Sequence, residues 1–313
     1  MKKFIFVFLA LITVVSSQYR VERIINGGAE KFGEMNKEIF NVYAGQQKIY
    51  SIERVLNYDD PFSEAELFDD GSLVIVNSFL NSIDFYSNMG ELISTVNQID
   101  EEKFSYEKTV YVDADKENAA FLISNEKSGQ SRIEVYSKFG NKLSEIEVEG
   151  SKGNGVLLDE NLNLLIYSTI DWGNTELQKY TSIADTKGNV KLTVNSTFSE
   201  GLINKNIFAG FSNKSLLIID LENNQIIENI ERTETIITDL IISNDQVYYI
   251  ESGYPQFKNN KWVYSNSSVN SFSIQNKSTK LIYQIVEDYE NAELSIDKNV
   301  ILTLDNKKKV NLD

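Results

Sequence analysis

Two acidic turns carry the oxygen ligands that a hard cation such as Ca2+ requires. The first turn supplies Asp113 and Asp115, and the second supplies Asp159 and Asn161, in each case at alternate positions. Ca2+ binds about six to eight such oxygens. Neither turn has the glycine and the closing glutamate of an EF-hand loop, and Asp and Asn also stabilise turns by hydrogen bonding to nearby backbone. We expect these four residues to stabilise turns, with a Ca2+ site as the alternative.

Histidine and cysteine are absent from the chain. Their absence excludes Ser-His-Asp and Cys-His catalysis, zinc bound by histidine, and disulfide bonds. A pair of carboxylates would suffice for a glycosidase. With 46 acidic residues, however, some pair fits any spacing, so the sequence names no catalytic residue. We therefore favour a binding protein over an enzyme.

One long loop concentrates aromatic residues. Residues 252–268 (SGYPQFKNNKWVYSNSS) contain Tyr254, Phe257, Trp262 and Tyr264. Aromatic faces stack on sugar rings and on apolar side chains, and loops on a rigid scaffold often carry binding sites. We predict that this loop binds a ligand. The alternative is that its rings fill gaps inside the protein.

Three more residues are candidates for the same surface. Trp172, the second of the two tryptophans, follows Asp171, and Tyr106 lies in another acidic and aromatic stretch. A carboxylate beside an aromatic ring can bond a hydroxyl group or attract a cation. For Trp172 we favour packing over binding, since large aromatic residues in sheet proteins mostly pack.

The candidate residues lie between short apolar runs that predict β-strands. Apolar residues alternate with polar ones in these runs, and β-branched and aromatic residues dominate them. Residues 64–96 show the pattern well, as four runs separated by turn sequences. The first turn contains Asp69-Asp70-Gly71 and the last contains Asn88-Met89-Gly90, both typical of hairpins.

Two kinds of hairpin alternate along the chain. Copies of an outer hairpin lie at residues 41–49, 84–93, 134–143, 179–192, 217–227 and 271–282. Copies of an inner hairpin, with a turn rich in Asp and Asn, lie at residues 67–74, 112–123, 157–166, 202–210, 240–250 and 294–304. The pair recurs about every 45 residues, which is within the range of β-propeller blades.

These repeats predict an all-β fold, a six-bladed β-propeller of four-stranded blades. The chain begins with an outer hairpin that has no inner partner and ends with an inner hairpin that has no outer partner. Pairing the N-terminal outer hairpin with the C-terminal inner hairpin would complete the sixth blade and close the ring. A pair of β-sandwiches is the alternative, but sandwiches do not normally repeat with this period.

By its repeats, the chain from Asn41 onwards resembles the six-bladed propellers of the TolB-like, NHL or YVTN type found in exported bacterial proteins. The resemblance rests on the turn at residues 69–73, which is like D-x-x-G-x-L, and on the aromatic-turn-glycine hairpin at residues 86–90. It implies that loops within blades and loops between blades emerge on one face. It also implies an enzyme alternative, in which carboxylates and Asn hold a divalent cation in the central channel.

The N-terminus predicts export. Residues 1–17 have two lysines, an apolar run and two serines, which are the three parts of a signal peptide. We expect residues 18–38 to be a lead-in segment and residues 39–313 to be the propeller domain. With no cysteine to carry a lipid, the mature chain is expected in the periplasm or outside the cell and not as a lipoprotein, with no integral membrane segment after cleavage.

We expect the acidity of the chain mainly to serve solubility, and it also disfavours some partners. A formal net charge of -16 repels nucleic acids and anionic lipids. We therefore expect a monomer that acts as an exported, non-catalytic binding or scaffold propeller. Its partner would be a protein, peptide or glycan of the cell envelope or the exterior. The alternative is a hydrolase or lactonase that depends on a divalent metal.

Overall fold

Every regular element in the described part of the chain is a β-strand. The computed structural model describes residues 19–26, 36–56, 63–77, 82–97, 108–125, 129–172 and 177–312. The alternation of apolar and polar residues places one face of each strand against a core. The prediction of an all-β fold is confirmed.

The first sheet has three strands in the order β1–β2–β3. They are β1 (Tyr19–Asn26), β2 (Asn36–Ala44) and β3 (Gln47–Leu56). Within this sheet, β2 runs antiparallel to both β1 and β3.

Five sheets of four strands follow, each with its strands in chain order. The second sheet has β4 (Ser63–Leu67), β5 (Leu73–Asn77), β6 (Ser82–Tyr86) and β7 (Leu92–Asn97). The third has β8 (Lys108–Ala114), β9 (Asn118–Asn125), β10 (Gln130–Ser137) and β11 (Lys142–Val148). The fourth has β12 (Lys152–Asp159), β13 (Leu164–Trp172), β14 (Leu177–Asp185) and β15 (Val190–Val194). The fifth has β16 (Glu200–Asn204), β17 (Ile207–Ser212), β18 (Ser215–Asp220) and β19 (Gln225–Glu231).

The sixth sheet carries an insertion between its second and third strands. Its strands are β20 (Ile236–Ser243), β21 (Gln246–Ser252), β24 (Ser267–Ser273) and β25 (Ser278–Ile285). The insertion is a separate two-stranded ribbon of β22 (Gln256–Lys258) and β23 (Lys261–Val263). The last sheet has three strands, β26 (Ala292–Asp297), β27 (Asn299–Leu304) and β28 (Lys308–Asn311).

All twelve predicted hairpins are present. The predicted outer hairpins are the last two strands of the first six sheets, and the predicted inner hairpins are the first two strands of the last six. The period of the sequence therefore identified the strand pairs correctly.

The ends of the chain differ from the prediction. β1, formed by residues of the expected lead-in segment, pairs with β2 from Tyr19↔Ala44 to Asn26↔Lys37. β28 pairs with β27. Among the described strands β2 thus lies between β1 and β3, and β27 between β26 and β28, so the predicted pairing of the terminal hairpins is not found. In the described segments there are seven sheets of three or four strands, and six blades are not confirmed.

Contacts divide the chain into two compact units. The first comprises Met1–Tyr167 with Ala184–Asn189, and the second comprises Ser168–Ile183 with Val190–Asp313. In the first unit, the buried rings of Phe85, Phe121 and Tyr136 meet with centroid distances of 5.6–6.3 Å. In the second, buried side chains of successive sheets pack into continuous apolar clusters.

Glycines in the outer hairpins of the first unit allow each turn to approach the previous sheet. Gly90 has a φ of +82°, and a Cβ there would lie 2.8 Å from the ring of Tyr50 on β3. Gly188 has a φ of +89°, and a Cβ there would lie 2.9 Å from Ile146 on β11. Glycine is required at both positions, because no other residue combines this φ with such close contact.

Aspartates connect the first strands of successive sheets. The Asp113 carboxylate on β8 accepts a hydrogen bond of 2.6 Å from the Leu158 amide on β12. In the second unit, the Asp239 carboxylate on β20 accepts one of 2.6 Å from the Leu294 amide on β26. The same contact thus recurs in two places. In each case the aspartate accepts a hydrogen bond from a backbone amide on the edge strand of the next sheet, so that this amide does not remain without an acceptor.

Candidate functional site

The aromatic loop folds into the ribbon of β22 and β23. Its turn is formed by Asn259 and Asn260, with φ of +51° and +63°. Asn tolerates this left-handed conformation, and two such residues in succession form the turn that suits a twisted hairpin. The pairs across the ribbon are Gln256↔Val263, Phe257↔Trp262 and Lys258↔Lys261.

The two faces of the ribbon have different chemistry. Phe257 and Trp262 lie directly opposite each other, and their ring centroids are 5.4 Å apart at an interplanar angle of 58°. Because side chains alternate along a strand, Lys258 and Lys261 project from the other face. One face is aromatic and the other is basic.

Ion pairs hold the basic face against the protein. The Lys258 ammonium lies 2.9 Å from the Asp288 carboxylate, and Lys261 pairs with Glu290. Both acids lie in the segment that joins β25 to β26. The loop within one sheet thus contacts the loop between two sheets, as the predicted topology requires.

The aromatic face is left to solvent. Phe257 is 59% exposed and Trp262 is 63% exposed. Large apolar side chains presented together on a raised element are typical of binding surfaces. The ribbon therefore presents its two aromatic rings outward while its charges are neutralised underneath.

The base of the ribbon is rigid. Tyr264 and Tyr289 exchange backbone hydrogen bonds of 2.8 and 3.2 Å, and their rings stack at 5.6 Å. The buried Tyr289 hydroxyl lies 2.6 Å from Ser252 Oγ and donates to Ser267 Oγ at 3.0 Å. Burial raises the pKa of Tyr289 above its usual value, so the phenol stays neutral. Tyr264 is therefore part of the support of the ribbon.

Tyr254 lies at the approach to the ribbon. It is 44% exposed, and the Lys214 ammonium lies 5.7 Å from its ring centroid. Its hydroxyl donates to the Thr233 carbonyl at 3.5 Å, which is the long limit of a hydrogen bond. Tyr254 is thus accessible and only lightly held.

The other candidates for the binding surface remain predictions. Asp171 and Trp172 are the last residues of β13, where Asp171 is partly buried. The Trp172 side chain and the whole of Tyr106 fall outside the described part of the chain. That Trp172 and Trp262 lie on the same surface therefore stays a prediction.

The four candidate metal ligands are engaged in hydrogen bonds. Asp113 accepts from the Leu158 amide, as described above. The Asp115 carboxylate accepts from the Glu160 amide at 2.7 Å, and that of Asp159 accepts from the Leu162 amide at 2.9 Å. Asn161 accepts from the Lys116 ammonium. These contacts show turn and sheet stabilisation at each position.

Where the structure describes the chain, no three or more Asp and Glu side chains cluster in a way that could hold a metal ion. The Ca2+ alternative stays a prediction. Burial raises the pKa of Asp113 to about 7, and neighbouring carboxylates such as Asp115 add to the effect. Burial likewise raises the pKa of Asp239 to about 7, with Glu293 and Glu200 contributing.

The sequence did not identify the elements that orient the ribbon. From the sequence we predict a long loop at residues 252–268 without strands, although the stretch Phe257-Lys-Asn-Asn-Lys-Trp262 has the symmetry of a hairpin with an Asn-Asn turn. Nothing in the sequence pairs Lys258 with Asp288, because those residues are distant in the chain. Only the fold brings them together.

Comparisons with solved structures show which fold this chain shares with known proteins. The propeller of Dos1 aligns with a TM-score of 0.55 and 9% identity, covering 86% of this chain and 72% of that one. The fold is a β-propeller. A chain of the mitotic checkpoint complex aligns with a TM-score of 0.58 and 13% identity, covering 95% and 88% of the two chains. A chain of Kuenenia stuttgartiensis hydrazine synthase aligns with a TM-score of 0.52 and 12% identity, covering 82% and 79%.

Structural similarity at such low sequence identity establishes the fold of the chain but says nothing of its activity. They do not distinguish a TolB-like, NHL or YVTN type, so that resemblance stays a prediction. No family model and no curated protein sequence matches the chain. None of the described segments contains a helix that could span a membrane.

Proposed function

We propose that this β-propeller is a non-catalytic scaffold that binds a partner through the aromatic face of its ribbon. The observation that carries the proposal is the outward Phe257–Trp262 pair, in which each ring is more than half exposed. Adjacent apolar side chains that are exposed together on a soluble protein often mark a site of interaction with a partner.

The support of the ribbon favours the same function. Two ion pairs and the Tyr264–Tyr289 contact fix the ribbon before any partner arrives. A surface that is already ordered loses little conformational entropy on binding. Aromatic residues held in this way are the residues that dominate interface energetics.

We further propose that the protein is exported by a signal peptide at residues 1–17 and that it acts in the periplasm or outside the cell. Its partner is a protein, peptide or glycan. The six-bladed closed ring and the TolB-like, NHL or YVTN type are finer predictions that the binding proposal does not need.

A screen with a matched control tests the proposal. Immobilised protein is exposed to displayed random peptides and to neutral oligosaccharides, and each binder is measured again on two variants. F257S/W262S removes the ribbon aromatics, and F139S removes an aromatic that is 53% exposed in an outer hairpin turn. We expect binders that are lost on F257S/W262S and retained on F139S. Binders that tolerate the double change, or a screen without binders, would contradict the proposal.

A further inference from the structure

The geometry of the aromatic face bears on the class of partner. The Phe257 and Trp262 rings are tilted by 58°, so they form one compact apolar knob with two differently inclined surfaces. A sugar ring is best held on an open aromatic face with a few placed hydrogen-bonding groups beside it. A tilted pair is better suited to interlock with side chains of irregular shape.

The charged side chains of the ribbon are directed away from this knob. Lys258 and Lys261 project from the opposite face, and their partners Asp288 and Glu290 are bound to them there. The Asp288 and Glu290 carboxylates, which could bond hydroxyl groups of a sugar, are thus paired with lysines on the face opposite the aromatic rings. The aromatic face offers apolar contact with little polar contact.

Local charge distinguishes the ribbon from the rest of the molecule. The chain has a formal net charge of -16, which alone would favour cationic partners. At the ribbon, the two lysines are paired with two acids on the face opposite the rings, so the Phe257–Trp262 pair itself presents no charged group of the ribbon. The patch is complementary to an uncharged, apolar surface.

We infer that the partner bound by the ribbon is an uncharged, apolar segment of a protein, presented as a peptide and not as a saccharide. This inference rests on the proposed function and specifies its ligand. The knob inserts between apolar side chains of the segment, with Trp262 as the main contact. Binding is driven by burial of apolar surface, so screening by salt has little effect on it.

Three kinds of probe test the inference. The first is a displayed library of short peptides built from apolar and small residues, the second a library built from charged and small residues, and the third a panel of neutral oligosaccharides. Affinities are measured at about 0.05 M and about 0.5 M NaCl, which span strong and weak screening. W262A, F257A and the control F139A are compared, with circular dichroism to check that each variant is folded.

The expected result is that the apolar library yields binders with nearly the same affinity at both salt concentrations. W262A should weaken them by about tenfold or more, as expected of a central aromatic contact, while F139A leaves them unchanged. Binders from the charged library or the oligosaccharides that require Trp262 would overturn the inference and leave the proposed function standing. An absence of ribbon-dependent binders in all three arms would overturn both.

Discussion

The ammonium group of Lys258 lies 2.9 Å from the carboxylate of Asp288, and this contact fixes which side of the ribbon meets the protein. The residue next to Lys258 in sequence, Phe257, must then point the other way, because neighbouring side chains in a strand alternate. A single exposed ion pair contributes little stability, but it can select one orientation of a short element. The accessibility of the aromatic face follows from that selection.

Removing the ion pairs should loosen the ribbon without unfolding the protein. In K258Q/K261Q we expect almost no change in the free energy of unfolding, since both pairs are exposed. In a W172F background, Trp262 is the single tryptophan, and its fluorescence anisotropy should fall in the double variant. The control K37Q removes an exposed pair with Glu53 on another sheet and should leave the anisotropy unchanged.

The base of the ribbon should be sensitive to the loss of one hydroxyl group. Y289F removes a buried hydroxyl that interacts with Ser252 and Ser267, and we expect a cost of about 1–3 kcal/mol in the free energy of unfolding. Y254F removes an exposed hydroxyl with a contact of 3.5 Å and should cost almost nothing. Chemical denaturation of both variants measures the difference, and equal values would show that the buried network is not formed.

The close turn glycines should not tolerate alanine. G90A places a Cβ against the Tyr50 ring in addition to forcing a positive φ, and we expect a loss of about 2 kcal/mol or more. At Gly45 the φ is +56° and a Cβ would meet nothing within 4 Å, so G45A should cost only about 1 kcal/mol. Denaturant midpoints separate the two variants. If both lose the same stability, the contact with Tyr50 is not close.

The inter-sheet aspartates should make stability depend on pH. Burial raises the pKa of Asp113 from 3.8 to about 7 in the folded chain, and that of Asp239 likewise. The folded state therefore binds more protons than the unfolded state between about pH 4 and pH 7. The stabilisation from these groups is complete below the unfolded pKa and is lost as the pH rises through the folded pKa.

From pH 5 to pH 8 we expect the free energy of unfolding to fall by on the order of 5 kcal/mol from these two groups, since each contributes about 1.4 kcal/mol per pH unit up to its folded pKa. D113N/D239N keeps an oxygen acceptor at each position and should remove that part of the fall, while the raised pKa values of Glu64 and Glu66 leave a smaller slope. Denaturation at several pH values measures the slope in both proteins. A wild-type chain that gains stability over this range, or a double variant with the same slope, would contradict the assignment.

Local signals in the sequence were sufficient for most strands. Alternation and turn residues such as Gly71 and Gly90 placed twelve hairpins correctly, because hairpins depend on residues close in the chain. β1 and β28 were harder to place. β1 occupies the edge of β2, and β28 that of β27, and edge pairing depends on tertiary context that local patterns do not contain.

The candidate site was predictable only in part. The aromatic residues of the loop are visible in sequence, and three of them, Tyr254, Phe257 and Trp262, are exposed. Tyr264 has the same chemistry but stacks on Tyr289 in the support of the ribbon. Which ring faces solvent depends on the register of the ribbon and on ion pairs to a distant segment, and neither can be obtained from composition or spacing.

The most direct test of the account uses Trp262 as its own probe. In W172F protein with an unchanged circular dichroism spectrum, acrylamide should quench Trp262 efficiently, because the ring is 63% exposed. Addition of an apolar peptide that binds the protein should reduce the quenching and shift the emission to shorter wavelength as the ring is buried. A peptide that binds by calorimetry and leaves both signals of Trp262 unchanged would show that the ribbon is not the binding site.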